Sequence, residues 1–181
     1  MVLTAAVKDE IYEEVATKVK ADPRIGGWRP TGRCLFWAMY AIEAIRARGV
    51  RAILQAGSAT WRIVREEDDD GVASTHFGYV WSPNEEASRK AIAEGFMPEM
   101  HVWAGIPEDQ VLVDLTTGFW PEQAKLLGGF DWRAGLPPKY YWGPGEDLVE
   151  GRYTPEIGAF RAAIQFVIHN YGPDRAKALF S

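Results

Sequence analysis

The spacing of apolar positions changes from segment to segment, and each change marks a predicted element. From Ala5 to Lys20 the period is helical, with Ile11, Val15 and Val19 on one stripe, until Asp22-Pro23 stops it. An amphipathic helix bracing the core is predicted. Arg24 to Arg33 (RIGGWRPTGR) is dense in Gly and Pro and reads as a loop. It delivers the chain to Cys34, which opens CLFWAMYAIEAIRAR, a run of good helix formers that is nearly all apolar up to Glu43 and is closed by Gly49 as C-cap. This run is predicted to be a central, mostly buried helix.

Beyond Gly49 the pattern becomes strand-like. Val50 to Gln55 and Ser58 to Val64 are β-rich, Arg65 to Gly71 is an acidic turn, and His76 to Trp81 is strand-like again, which predicts an antiparallel hairpin. Asn84 to Glu94 reads as a short surface helix. His101 to Ala104 and Gln110 to Leu115 then form a second predicted hairpin across Gly105 to Asp109. From Thr116 to Arg152 the chain is crowded with Gly, Pro and aromatics (Trp120, Trp132, Tyr140, Tyr141, Trp142), and offers only a short helix at Pro121 to Leu127. Thr154-Pro155-Glu156 is predicted to cap a C-terminal helix reaching about Tyr171. No internal repeat is present, and helices and strands are grouped rather than alternating, so the expected class is α+β.

Composition narrows the partners. A chain of 181 residues fits one domain with its own core. The 25 acids against 20 bases give a formal charge of -5 with no basic block to track phosphates, so nucleic acid is not an expected partner. No apolar run approaches the roughly 20 residues needed to span a bilayer, and the charged N-terminal stretch (Lys8, Asp9, Glu10, Glu13, Glu14) lacks the apolar core of a secretion signal. The expectation is therefore no membrane partner and a cytoplasmic location, with the oligomeric state left open. A single cysteine excludes an internal disulfide and a cysteine-cluster metal site.

That cysteine is the first candidate for chemistry. A thiol becomes a strong nucleophile only when deprotonated, and a helix N-terminus together with an imidazolium stabilises the thiolate. Cys34 stands where a helix should begin. The base in turn needs an orienting group, and adjacent antiparallel strands can present two side chains side by side. His101 and Asp114 meet that demand across the second hairpin, where a turn near Ile106 to Asp109 brings them roughly opposite one another.

Two segments carry a resemblance. GRCLFWAMYAIEAIRARGVRAILQAG resembles the transglutaminase-like (papain-like) superfamily's small residue before a nucleophilic Cys, helix, Gly turn and strand. HVWAGIPEDQVLVDLTTG resembles that superfamily's His strand, with Trp two positions after the His, and its Asp strand ending in Asp-x-Thr. The match runs from about Gly32 to Gly118. It implies an α+β core of about 32–118 in which a central helix bearing Cys34 packs on an antiparallel sheet bearing His101 and Asp114. Around that core lie an N-terminal helix (about 5–20), an aromatic segment (about 119–152) and a C-terminal helix (about 154–171). It also implies roles: Cys34 nucleophile, His101 general base, Asp114 orienter. His76, on the strand inserted relative to compact members, is a rival base, ranked second because no acid follows it at hairpin distance. The second oxyanion donor is assigned to Trp28, whose indole N–H only donates; papain-like enzymes place a glutamine at a similar offset.

Each of these residues also has a structural reading. Cys34 alone would be a small core hydrophobe, and His101 a satisfied strand histidine. Asp114 could cap the turn that follows through Thr116 and Thr117, and Trp28 could anchor a loop. Only the three-part pattern lifts them above that. Glu66 to Gly71 (EEDDDG) departs from a calcium loop, since a Glu replaces the first Asp and Phe77 stands where a bidentate Glu is needed, so it reads as a solvated hairpin tip. His169 reads as a last-turn cation on the helix dipole, and most of the aromatics between Trp120 and Trp142 as packing, with one or two left to line a substrate cleft.

Two functions remain. One is a cysteine-dependent amide-bond hydrolase or acyltransferase (protease, deamidase or transamidase) acting on a peptide, protein or small amide through a thioester, with no cofactor or metal required. An arylamine acetyltransferase uses a similar triad, but the chain is short for that family's added barrel and lid. The other is a binding or structural module that keeps the fold without the chemistry.

Overall fold

A computed structural model describes residues 3–25, 33–65, 71 and 75–180. Helix α1 (Ala5–Ala21) starts where the Thr4 hydroxyl accepts a hydrogen bond from the Val7 N–H, and its Ile11, Val15 and Val19 stripe is fully buried. Against it runs α2 (Cys34–Arg46), whose run of apolar side chains is buried on most of its circumference. Such an all-round apolar helix belongs in a core. Its last helical residue is Arg46, and Gly49 terminates it in a left-handed conformation (φ 76°). The Gly49 N–H bonds to the Arg46 carbonyl and the Val50 N–H to the Ile45 carbonyl, the Schellman pattern that a glycine at this position permits.

The next strand, β1 (Ile53–Arg62), is continuous where two were predicted. Gly57 reads as a break in the sequence, but in the fold it is a point of close approach. It sits opposite His101 of β3 (His101–Ile106) and Pro155 of β6 (Gly151–Pro155), and a Cβ there would come within 2.0 Å of the Thr154 carbonyl oxygen. The second half of β1 pairs antiparallel with β2 (His76–Tyr79), as the first predicted hairpin requires. The acidic stretch proposed as its tip, 66–70, lies outside the described residues. A short helix, α3 (Glu85–Ala93), is capped by the Asn84 side chain accepting from the Ala87 N–H at 3.0 Å. Across a 3-10 turn at Pro107–Asp109, β3 pairs with β4 (Val111–Asp114).

Segment 116–152 is more regular than its composition suggests. It contains α4 (Trp120–Gly128) and β5 (Tyr141–Pro144), and β6 opens at its end. The helix matches the one expected at Pro121 to Leu127, whereas Gly and Pro mask the two strands in the sequence; both prolines, Pro144 and Pro155, close their strands, where a missing N–H is tolerated. The C-terminal helix α5 (Ile157–Tyr171) begins beyond the predicted cap: Thr154 and Pro155 belong to β6, and Glu156 is the N-cap without a side-chain hydrogen bond. A last helix, α6 (Pro173–Phe180), follows Gly172 and was not expected.

The sheet runs β2-β1-β3-β4-β5, antiparallel throughout, with β6 also paired to β1, which makes the class α+β. Helices α1, α2, α5 and α6 share the main core, to which the sheet contributes Leu54, Ala56, Val102, Ala104, Ile106 and Val113. Side chains alternate across a strand, so Ala59, Trp61 and Phe77 close a second cluster with Trp120 and Ala124 of α4. By the same alternation His101 and Trp103 leave the main core on the opposite side from Val102 and Ala104. Among the described residues no helix is long and apolar enough to cross a membrane.

Candidate active site

Cys34 is the first residue of α2, and its N-cap, Arg33, accepts no hydrogen bond through its side chain. The leading N–H groups of a helix carry partial positive charge, which favours an anion at this position. His101 opens β3, and the β3/β4 register, continued one pair beyond Ala104↔Val113, sets Trp103 across from Asp114. His101 is therefore diagonal to Asp114 on one face, where the sequence suggested a directly opposite pair. The diagonal is long enough for a ring and a carboxylate to meet.

They do meet. The His101 Nε2–H donates to Asp114 Oδ2 at 2.7 Å, and both side chains are sealed from solvent, 2% and 1% exposed. The other carboxylate oxygen, Oδ1, accepts from the Thr116 N–H at 2.8 Å and from the Thr116 hydroxyl at 2.6 Å. Asp114 thus holds the turn through one oxygen and the His101 ring through the other. The Tyr153 hydroxyl, from β6, also donates to Oδ2. Its own pKa is pushed well up by burial and by the adjacent carboxylate, so it keeps that proton.

Electrostatics follow from this wiring. Burial works against charge on either partner and is the largest influence on both. It is outweighed at His101 by the charge and hydrogen bond of Asp114, then by Cys34, and the ring's pKa rises to about 10. At Asp114 the His101 charge and hydrogen bond, with Thr116 and Tyr153, outweigh burial together and hold the carboxyl below its usual range. Both shifts favour the charged forms, a buried carboxylate beside an imidazolium.

The remaining ring nitrogen, Nδ1, is buried and has no hydrogen-bond partner of regular geometry. Cys34 is close enough to the ring to add to the rise in its pKa, after Asp114.

Aromatic rings hold the histidine in place. Tyr79 and Trp103 lie nearly parallel to it, with centroids at 5.9 and 6.1 Å, and Trp120 and Tyr153 approach more nearly edge-on at 5.2 and 5.8 Å. Trp103 is fixed by donating to Gln55 Oε1 at 2.7 Å. Cys34 and His101 open into one cleft of about 280 Å³, shared with Tyr79, Thr116 and Gln123 and walled by Phe96–Met100. A larger cleft, about 330 Å³, lies by Gln55, Trp103, Gln110 and Tyr153, and neither Cys34 nor His101 lines it. Cys34 and His101 line the smaller one.

The other sequence candidates fall elsewhere. His76 is exposed on β2, hydrogen-bonds the Thr75 hydroxyl, and borders a separate surface cleft with Arg62 and Glu150. Trp28 lies outside the described residues. His169 sits in the last turn of α5. Of the aromatics in 116–152, Trp120 packs on His101 and none lines the Cys34 cleft. Sequence reading missed Tyr79, Trp120, Gln123 and Tyr153. Only Gln123 left a signal: with Trp120 and Ala124 it forms one helical stripe, so a polar residue occupies a core-facing position. Among the described residues no group of His, Cys, Asp and Glu could hold a metal ion. Comparison with protein-family models, with curated proteins and with solved structures gives no match.

Proposed function

We propose that this protein is a cysteine-dependent amide hydrolase or acyltransferase of the transglutaminase-like kind, with Cys34 as nucleophile, His101 as acid and base, and Asp114 as orienter. The observation that carries the reading is the His101–Asp114 pair: one ring nitrogen is tied to a buried carboxylate, and the other is left without a regular partner beside the only cysteine of the chain. A purely structural histidine has no need of a thiol at its free nitrogen.

The chemistry follows. The thiolate of Cys34 is stabilised by the N-terminus of α2 and by the imidazolium. Its sulfur attacks the amide carbonyl, and the π electrons of the C=O bond move onto oxygen as an oxyanion. Collapse restores the C=O bond and breaks the C–N bond, with His101 giving its proton to the departing amine. The product is a thioester on Cys34. Attack by water, with His101 accepting a proton, completes hydrolysis or deamidation; attack by an amine completes transamidation. Asp114 keeps Nε2 occupied so that Nδ1 faces the thiol, and stabilises the imidazolium. The cleft wall of Phe96, Met97, Pro98 and Met100 favours an acyl group with an apolar flank, on a peptide, a protein or a small amide.

Iodoacetamide labelling of Cys34 tests this without knowledge of the substrate. Labelling at pH 6 is expected to be fast in the native chain and at least tenfold slower in His101→Ala. Equal, slow rates in both would mean a structural cysteine, and the fold would then be read as a binding module.

A further inference from the structure

The proposed reaction needs a second donor for the oxyanion besides the Cys34 N–H. One side chain in the cleft is arranged to supply it. Gln123 is a buried polar residue, 4% exposed, on α4, and it lines the cleft together with Cys34 and His101. Its Oε1 accepts from the Tyr79 hydroxyl at 2.6 Å, while its Nε2 donates to no described residue and is not sealed within the protein. An NH₂ group that opens into the cleft without a protein acceptor is free to donate to a ligand oxygen there.

From these contacts we infer that Gln123 is a catalytic residue: its Nε2–H and the Cys34 backbone N–H together form the oxyanion hole. Tyr79 is the positioning residue. Burial first, then the charges of Cys34 and Glu99, raise the Tyr79 pKa, so its hydroxyl keeps its proton and donates it. That donation fixes Oε1 on the tyrosine side and turns the NH₂ group into the cleft. The anchor is rigid, because Trp120, three residues before Gln123 on α4, is fully buried and packs on His101, Phe77 and Tyr79. The helix that carries the donor is thus packed against the base. When sulfur bonds to the carbonyl carbon, the electron pair displaced onto oxygen is held by the two N–H groups. It returns as the leaving group departs, so neither group gains or loses a proton.

This inference rests on the cysteine reading, and two reagents separate the two. Iodoacetamide alkylates a thiolate by displacement at a saturated carbon and forms no oxyanion; p-nitrophenyl acetate acylates it through one. In Gln123→Ala, and in Gln123→Met, which keeps the volume, acylation by p-nitrophenyl acetate is expected to slow by 10²- to 10³-fold. Iodoacetamide labelling should change less than threefold. Tyr79→Phe, which keeps the ring, should slow acylation 5- to 20-fold with labelling again preserved. Acylation unchanged in both Gln123 variants would overturn the assignment. So would a parallel fall in both reactions, which would make Gln123 a support for the thiolate. A native chain that is labelled but never acylated would exclude a built oxyanion hole, whereas one inert to both reagents would overturn the cysteine reading itself.

Discussion

Asp114 shows why single residues in this site are hard to replace. It accepts hydrogen bonds from His101, Tyr153 and twice from Thr116 while fully buried, and a buried carboxylate is tolerable only with its lone pairs occupied. Asp114→Asn keeps the shape but removes the charge and puts an NH₂ where an acceptor is needed. Turnover on a true substrate is expected to fall by about two to four orders of magnitude, with substrate affinity little changed, as steady-state kinetics would read. Cys34→Ala should abolish turnover altogether. It deletes one sulfur at a helix end that is 8% exposed and borders a cleft, so its melting temperature should stay within a few degrees of the native value by circular dichroism. Retained activity in that variant would exclude covalent catalysis. At this scale Cys34, His101 and Asp114 were legible because each has a distinctive chemistry and a distinctive neighbourhood in the chain. Tyr79 and Tyr153 were not, since nothing in HFGY or GRYTP says which side chain will reach the site, and Gln123 left only the trace of a polar residue on a buried helical stripe.

Elements are where the sequence reading and the fold diverge most. The helices α1 and α2 and the β3/β4 hairpin follow from local periodicity, and they appear as predicted. Strands β5 and β6 do not, because their Gly and Pro residues argue against strand locally and their pairing partners, β4 and β1, lie far away in the chain. Gly57 is the clearest case. Read locally it breaks a strand; in the fold it is in register with both His101 of β3 and Pro155 of β6, and lets β6 pair closely with β1. Gly57→Ala would drive a methyl group into the Thr154 carbonyl, and backbone cannot yield as a side chain does. A loss of about 3 kcal/mol is expected by urea titration, as for other overpacked positions. Because β6 also carries Tyr153, iodoacetamide labelling of Cys34 should slow in the same variant. On α1, Ile11→Ala should cost about 3 kcal/mol with labelling unaffected, since Ile11 is fully buried in the main core and lines no part of the cleft.

Over the whole molecule, the buried ion pair links stability to pH. His101 has its pKa raised on folding, to about 10, from about 6.5 in an unfolded chain. Its contribution is therefore complete below about pH 6.5 and is lost as pH rises through the folded value. Asp114 is shifted down, so its contribution is present above the unfolded carboxylate pKa and is lost as pH falls through the lower folded value. The unfolding free energy should decline from pH 6.5 to 10, by at most about 1.4 kcal/mol per pH unit from this one proton, with the melting temperature falling alongside it. In Asp114→Asn that alkaline slope should flatten; an identical slope in both proteins would mean that the pair does not hold the proton. The sequence by itself determined the α+β class, the first two helices, the hairpin of β3 and β4, and the three residues proposed for the chemistry, because periodicity and reactive side chains are local properties. Only the tertiary structure decided that His101 meets Asp114 on the diagonal, that Tyr153 and Thr116 complete the carboxylate's shell, that His76 lies elsewhere, and that Gln123 shares the cleft with Cys34. Those outcomes depend on register and on contacts between distant segments, and a one-residue slip in either strand would send the same side chains to opposite faces.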